Sequence, residues 1–171
     1  MDNWIIQAIG FIGMGFLVLS FQQNQRNKIL ALILTGQLIF LIHFIMLGAW
    51  TAVAMNSVGA VRTLIFQFKE QKEWAAKNYW PIIFIAGFIG FGALAWQDWY
   101  SILPIVAMSI ETVGLWMKNP KTLRLINLFP HPPWFTYNFL MGSWPGVATE
   151  ILIFGSIIIG IWRFDVKKRK R

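Results

Sequence analysis

HFIMLGAWTAVAMN, at residues 43–56, has a counterpart in NFLMGSWPGVATE, at residues 138–150. With Leu47 omitted, thirteen positions align, and six of them are identical. The identical pairs are Phe44 and Phe139, Met46 and Met141, Gly48 and Gly142, Trp50 and Trp144, Val53 and Val147, and Ala54 and Ala148. A separation of 95 residues also aligns Asn24 with Asn119. Helical hairpins of similar composition can look alike, but the shared offset favours an internal duplication.

The composition is that of a membrane protein. Of 171 residues, 57% are hydrophobic and 13% are charged, whereas about 25% of a soluble domain is charged. We therefore expect an integral membrane protein. The chain has no cysteine, which excludes disulfides and thiolate metal sites. The opening MDNWIIQ lacks a basic region and a small-residue cleavage site, so we interpret it as part of the first span rather than as a removable signal.

Seven apolar stretches approach the length of about 20 residues that crosses a membrane as a helix. They are residues 4–21, 29–47, 49–68, 79–96, 99–117, 122–141 and 144–164. Fourteen of the fifteen Lys and Arg residues lie on one side, in alternate connections, at the adjoining span ends or in the tail, and Arg62 is the exception. Because basic loops stay in the cytoplasm, we expect seven crossings with the N-terminus outside and the C-terminus inside.

The duplication groups these spans as three, one and three. The predicted units are a first repeat at 1–68, a linker with the fourth span at 69–98, a second repeat at 99–164, and a basic cytoplasmic tail at 165–171. Since four spans separate equivalent helices, both halves point the same way, as in parallel repeats about an axis along the membrane normal. The tail is interpreted as a topology anchor with weak attraction for anionic lipid. Nucleic-acid binding has no fold to support it.

Motifs along the whole chain indicate a family. They are SFQ at 20–22, HFIMLGAWTAVAMN, RTLIF at 62–66, ILP at 102–104, GLW at 114–116 and PPWFTYNFLMGSWPGVATE at 132–150. Together they resemble the YgjV-type family of bacterial inner-membrane proteins, which is distantly similar to the PQ-loop and SWEET sugar transporters. The resemblance implies a bacterial inner-membrane location and an all-α fold of seven helices in a 3+1+3 arrangement. Two features depart from the SWEET pattern: Phe21–Gln22 replaces a proline–glutamine pair, and hinge prolines occur only in the second half.

The proline stretch FPHPPWF, at residues 129–135, interrupts the sixth predicted span. Proline inside a helix removes a backbone hydrogen bond, and the 95-residue offset aligns His131 with Gly36 in the second span. Each half is therefore predicted to have a weakened helix at a matching depth, which indicates a transport site. The predicted hinge residues are Pro104, Pro130, Pro132, Pro133 and Gly36. The alternative is a static kink stabilised by packing.

Polar and aromatic residues near these breaks are the candidate solute-binding residues. They are Glu150, Asn56, His131, Gln37, Trp134 and Asn138. Asn56 and Glu150 are equivalent in the matched segments, and the resemblance to SWEET proteins implies that this helix of each half supplies polar contacts. A buried acid in a membrane usually faces a cavity, so Glu150 is the strongest candidate. Its alternative role is a structural hydrogen bond to Asn138 or Tyr137.

His131 has two interpretations. Histidine titrates near neutral pH, which suits a proton carrier, but the ring would equally serve to cap carbonyls that the neighbouring prolines leave free. The other histidine, His43, lies near the outer end of its span, so no metal site is expected. Trp134 and Trp116 are candidates for stacking on a sugar or nucleobase ring.

Arg62 and Glu111 are the other charged residues that lie away from the ends of the predicted spans. Arg62 lies 13 residues after Ala49 and Glu111 lies 12 residues after Trp99, so both lie at a similar depth. Because an unpaired charge is expensive in a membrane, we expect an ion pair. The pair is either a structural link or an inner gate that breaks when the cavity opens.

The leading functional hypothesis is a transporter that moves a small polar solute, such as a sugar, vitamin or nucleoside, by alternating access. We expect an uncharged or weakly basic solute because of Glu150. The alternative is a non-transporting membrane receptor or accessory subunit, since a fold does not fix a function. No nucleophile–histidine–acid set is visible, so an enzyme is not expected, and no cofactor is predicted. The expected partners are the solute and membrane lipid, and formation of a homo-oligomer is left open.

Overall fold

The computed structural model describes residues 3–166, in which all regular structure is helical. The eight α-helices are α1 (Asn3–Ser20), α2 (Arg26–Leu47), α3 (Trp50–Gln67), α4 (Tyr79–Leu94), α5 (Ile102–Trp116), α6 (Pro120–Ile126), α7 (His131–Leu140) and α8 (Trp144–Gly160). Short 3₁₀-helices lie at Phe68–Glu70, Glu73–Ala76 and Trp99–Ser101, and a π-helical segment follows α8 at Ile161–Val166. Most of the predicted basic tail, residues 167–171, lies outside the described residues.

Three of the described helices are long and apolar enough to cross a membrane. They are Arg26–Leu47, Trp99–Trp116 and Trp144–Val166, with mean hydropathies of 2.4, 1.2 and 1.7. Two further apolar helices, Trp4–Ser20 and Tyr79–Leu94, are shorter. The helical membrane class expected from the sequence is therefore confirmed. The sixth predicted span differs from the prediction, because it consists of two helices, α6 and α7.

The proline stretch marks a boundary between these two helices. α6 ends at Ile126 and α7 begins at His131, with turns in between at residues 127–130. Pro132 and Pro133 lie in the first turn of α7. The N–H groups of a first helical turn have no partner inside the helix, so proline removes no hydrogen bond there. The three prolines are therefore placed where they cost little, around a helix start.

The first half contains no matching break within its described helices. Gly36 lies inside α2, which is continuous from Arg26 to Leu47. A Cβ atom at Gly36 would lie 2.6 Å from the side chain of Leu17 on α1, so this glycine allows two helices to approach closely. Pro104 lies in the first turn of α5 and does not interrupt that helix. Gly36 thus allows close packing of α1 and α2, and its predicted role as a hinge stays a prediction.

The two matched segments form two similar hairpins. Gly48 ends α2 with a φ of 73°, and Gly142 follows α7 with a φ of 67°. Residues that carry a side chain rarely adopt this left-handed backbone conformation, so both turns favour glycine. His43 connects the hairpins: its Nδ1 donates to the carbonyl oxygen of Ile6 at 2.8 Å, and its Nε2 accepts from the hydroxyl of Ser143 at 2.9 Å. These contacts join α1, α2 and the start of α8.

The helices pack into one bundle. α1 contacts α2 and α8, α3 contacts α2, α4 and α5, and α7 contacts α5 and α8. Apolar side chains cover the outside as well as the inside: on α4, Ile82 is 70% exposed and Leu94 is 84% exposed. Large exposed apolar faces on a helical bundle are suited to contact with lipid rather than water.

Candidate solute-binding site

A cavity of about 70 Å³ lies inside the bundle, among α1, α2, α3, α5, α7 and α8. Each water needs about 10–15 Å³ of such space, so the cavity has room for about five water molecules. All six residues predicted to bind the solute line it: Gln37, Asn56, His131, Trp134, Asn138 and Glu150. The break between α6 and α7 also contributes to the wall, through Asn127 and Pro130.

His131 and Glu150 form the shortest side-chain contact of the cavity wall. Nδ1 of His131, the first residue of α7, lies 2.6 Å from Oε2 of Glu150 on α8. Both side chains are nearly buried, with 11% and 10% exposed. The partner of Glu150 is thus His131, and not Asn138 or Tyr137 as in the alternative weighed from the sequence. His131 Nδ1 contacts a carboxylate, so it does not cap carbonyls released by the prolines.

Three amide side chains line the same cavity. Oε1 of Gln37 accepts a hydrogen bond of 2.9 Å from the Thr63 hydroxyl, and Nδ2 of Asn56 donates to the carbonyl oxygen of Ala52 at 3.0 Å. Oδ1 of Asn138 and Nε2 of His131 are buried and have no hydrogen-bond partner among the described residues. Buried polar atoms normally find a partner, but neither atom is exposed to the cavity, so water or a ligand reaches them only if the wall moves.

Aromatic rings form the rest of the wall. Trp134 stacks on Phe44 with 6.2 Å between ring centroids and 14° between ring planes. Phe21 meets His131 edge-on, with centroids 6.4 Å apart. Trp116, the other tryptophan considered for ligand stacking, does not line the cavity: its ring contacts Phe66, and Nζ of Lys69 lies 3.4 Å from its centroid.

Arg62 and Glu111 form an ion pair at the edge of the cavity. Nη2 of Arg62 lies 3.1 Å from Oε2 of Glu111. Nη1 of Arg62 also donates to the hydroxyl of Thr112 at 3.0 Å and to the carbonyl oxygen of Met108 at 3.2 Å. Arg62 is fully buried, whereas the Glu111 side chain is 17% exposed and lines the cavity. The pair therefore connects α3 with α5 directly beside the site.

Two buried arginines lie at the basic end of the bundle. The sequence indicated only that their charges help to orient the protein in the membrane. Arg26 donates hydrogen bonds of 3.0–3.1 Å to the carbonyl oxygens of Phe66, Leu115 and Met117. Arg124 pairs with Asp165 at 2.9 Å and donates to the carbonyl oxygen of Gln23. Carbonyls at helix ends lack partners inside the helix, and basic side chains are favourable there. Arg26 therefore ties the ends of α3 and α5 to the start of α2, and Arg124 ties α6 to the α1–α2 loop and to the π-helical segment.

The fold and the cavity define a helical membrane protein with a partly open cavity that is lined by apolar, aromatic and a few polar side chains. Residues 4–168 match the Imp-YgjV family, described as bacterial inner membrane protein, and the chain belongs to this family. It is similar to the inner membrane protein YgjV of Escherichia coli (strain K12), with 26% identity over 165 residues, which cover 95% of this chain and 87% of that protein. No solved structure matches the chain. The resemblance seen in the motifs and the inner-membrane location are thus confirmed.

Proposed function

We propose that this protein is a membrane transporter that moves a small polar solute by alternating access. The observation that carries the proposal is the cavity, because it brings Gln37, Asn56, His131, Asn138 and Glu150 together inside an apolar bundle. Polar groups are costly at membrane depth and usually mark a solute or ion pathway. In transporters, discontinuous helices often form the substrate site, and the break before α7 lies in the wall of this cavity.

The arrangement that we propose has seven crossings in a 3+1+3 parallel repeat, with α6 and α7 forming the sixth crossing. The contacts between the halves support it. α1 packs on α8, and α3 packs on α5, so each contact joins the first helix of one half to the last helix of the other. Exchanging the halves converts one contact into the other, as expected for an axis along the membrane normal. The positive-inside rule supports a cytoplasmic C-terminus.

Alternating access also needs a barrier on each side of the site. On the basic side, Arg26 and Arg124 hold helix ends together, and the Arg62–Glu111 pair joins α3 and α5. We propose that this pair is the inner gate. Small solutes usually bind in pockets of about 300–1,000 Å³, so the cavity of about 70 Å³ must widen to admit a sugar-sized solute.

Solute flux tests this function. Purified protein in sealed vesicles is mixed with a panel of labelled sugars, vitamins, nucleosides and small amines, and uptake is followed with time. We expect uptake of at least one compound, with loss of uptake in Glu150→Gln. Glu73→Gln, the same change at an exposed residue, serves as the matched control and should transport normally. Binding of a compound without any flux would favour the receptor or accessory-subunit alternative.

A further inference from the structure

We propose that the solute of this site is a small primary ammonium compound, and that it exchanges with a proton carried by the His131–Glu150 pair. This inference rests on the proposed transport function and names the class of its substrate. Three independent features of the cavity lead to it: the sign of its charges, the kind of hydrogen-bonding atoms left without partners, and the aromatic rings around them.

The charges on the cavity wall are acidic. Glu111 and Glu150 both line it, and among the described residues no lysine or arginine does. Arg62 neutralises Glu111 from its buried position outside the wall. Among the described residues, the hydrogen-bonding partner of Glu150 is His131, and a neutral imidazole does not compensate the charge of an ionised carboxylate. With His131 unprotonated, the cavity therefore carries one uncompensated negative charge and favours a monovalent cation.

The unpartnered atoms of the wall are hydrogen-bond acceptors. The amide oxygen of Asn138, whose residue is 2% exposed, has no partner among the described residues. When the carboxylate is ionised and the ring is neutral, Nδ1 of His131 donates to Glu150, and the unpartnered Nε2 is then an acceptor. A primary ammonium group has three N–H donors and no acceptor. Nδ1 and Nε2 point away from each other across the imidazole ring, so an ammonium group cannot contact both Nε2 and the carboxylate that Nδ1 binds. Bound to the Glu150 carboxylate, it keeps two further N–H donors for other acceptors of the wall, whereas a hydroxyl supplies a single donor.

Aromatic side chains complete the environment of a cation. Phe21, Phe40, Phe44 and Trp134 line the cavity together with Glu150. The faces of aromatic rings attract cations, and the attraction increases where water is excluded. The cavity of about 70 Å³ has room for about five water molecules, which suits a short alkyl ammonium, and His131 and Glu150 also border a more open groove of about 350 Å³.

Protonation of His131 makes the same site unsuitable for a cation. Nε2 then becomes a donor, and the imidazolium compensates Glu150. The ammonium compound and the proton therefore compete for one pair of side chains, as exchange requires. A compound that loads the site releases the proton to one side, and proton binding releases the compound to the other.

Other titratable groups near the pair are already engaged or lie outside the cavity. Glu111 of α5 is paired with Arg62 of α3, and α1 has no titratable side chain in its described residues. On the neighbouring helices, His43 is bonded to Ile6 and Ser143, and Tyr137 is bonded to Ala52. Arg26 is bonded to backbone carbonyls, and Arg124 is bonded to the Gln23 carbonyl and paired with Asp165. The other charged groups there are exposed: Lys28, Lys121 and Arg163. The His131–Glu150 pair is left as the group that changes charge with loading.

Ligand-dependent thermal stability tests the proposal on the full chain in lipid nanodiscs. The probes are n-propylammonium chloride and propan-1-ol, which match in size and differ in the charged group, with sodium chloride at the same concentration as the salt control. A ligand that binds the folded state raises the melting temperature. We expect a rise with n-propylammonium, none with propan-1-ol, loss of the rise in Glu150→Gln, and retention in Glu73→Gln.

The pH dependence of the wild-type protein provides a second measurement that needs no variant. Below the pH at which the pair takes up a proton, the apparent affinity for n-propylammonium should fall by up to about tenfold per pH unit, the limit for competition with one proton. Equal effects of the ammonium and the alcohol, no effect of either, or affinity independent of pH would each overturn the proposal. Uptake of an uncharged solute, with no binding of n-propylammonium, would contradict the proposed substrate class but not the transport function. Binding of n-propylammonium with no flux of any solute would contradict the transport function alone.

Discussion

Replacing Arg62 by methionine tests whether the ion pair beside the cavity holds α3 and α5 together. Methionine keeps the apolar length of the side chain but removes the contact with Glu111 and the hydrogen bonds to Thr112 and Met108. Breaking a buried ion pair by removing one partner costs about 3–5 kcal/mol, because the other charge is left uncompensated. Because the Glu111 side chain is 17% exposed to the cavity, we expect about 3 kcal/mol, the lower end.

The partner variant, Glu111→Gln, should cost less. Glutamine keeps an oxygen that can accept from Arg62, which also retains its bonds to Thr112 and Met108, so we expect a loss of about 2 kcal/mol from the missing countercharge. In the double variant neither charge is left alone. We therefore expect a total loss of about 3 kcal/mol instead of the additive 5, which is a coupling free energy of about 2 kcal/mol.

Reversible unfolding of the purified protein in bicelles, followed for the wild type, both single variants and the double variant, measures this coupling. Glu73→Gln is the control, because Glu73 is exposed and its replacement should change the free energy of unfolding by less than about 0.5 kcal/mol. A coupling free energy below about 0.5 kcal/mol would mean that the two side chains do not stabilise each other, and it would also remove the basis for the proposed inner gate.

Two further predictions concern the ends of the bundle. In intact cells, a cysteine introduced at Gln97 should react with an impermeant thiol reagent and one at Gln71 should not, because the basic loops are expected inside; the reverse pattern would invert the proposed orientation. Burial and neighbouring positive charges lower the pKa of Lys69 to about 8. Between about pH 8 and about pH 10.4 the unfolded chain keeps this proton and the folded chain releases it, so the free energy of unfolding should rise with pH in that range. Melting temperatures of the wild type and Lys69→Met across this range test the effect, and the same rise in the variant would contradict it.

Much of the candidate site could be predicted from the sequence because polar residues are rare in apolar spans. Asn56 and Glu150 stand at equivalent places in the matched segments, and both line the cavity. Arg62 and Glu111 lie at equal depth along their helices, and depth along a straight helix follows from residue number alone. Their contact at 3.1 Å therefore agrees with a calculation that needs no tertiary information.

Other features depended on the direction in which side chains point, which the sequence does not contain. The proline stretch predicted a weakened helix, but only the structure places Pro132 and Pro133 in the first turn of a new helix, α7. The packing of Gly36 against Leu17 could not be foreseen either, because it depends on how closely α1 and α2 approach. Contacts between helices decide that distance, and helix propensity does not.

The membrane class of the protein, its family and the depth of its charged residues were determined by the sequence, because they depend on composition, motif and residue spacing. The partners of those residues were decided by the tertiary structure. Arg26 counted in the sequence as one more basic loop residue, yet it is 4% exposed and binds three helix-end carbonyls. The contact of His131 with Glu150 at 2.6 Å likewise exists only because α7 begins at the histidine and packs on α8. Burial in a bundle leaves each polar group a few reachable partners, and only the packing of the helices selects among them.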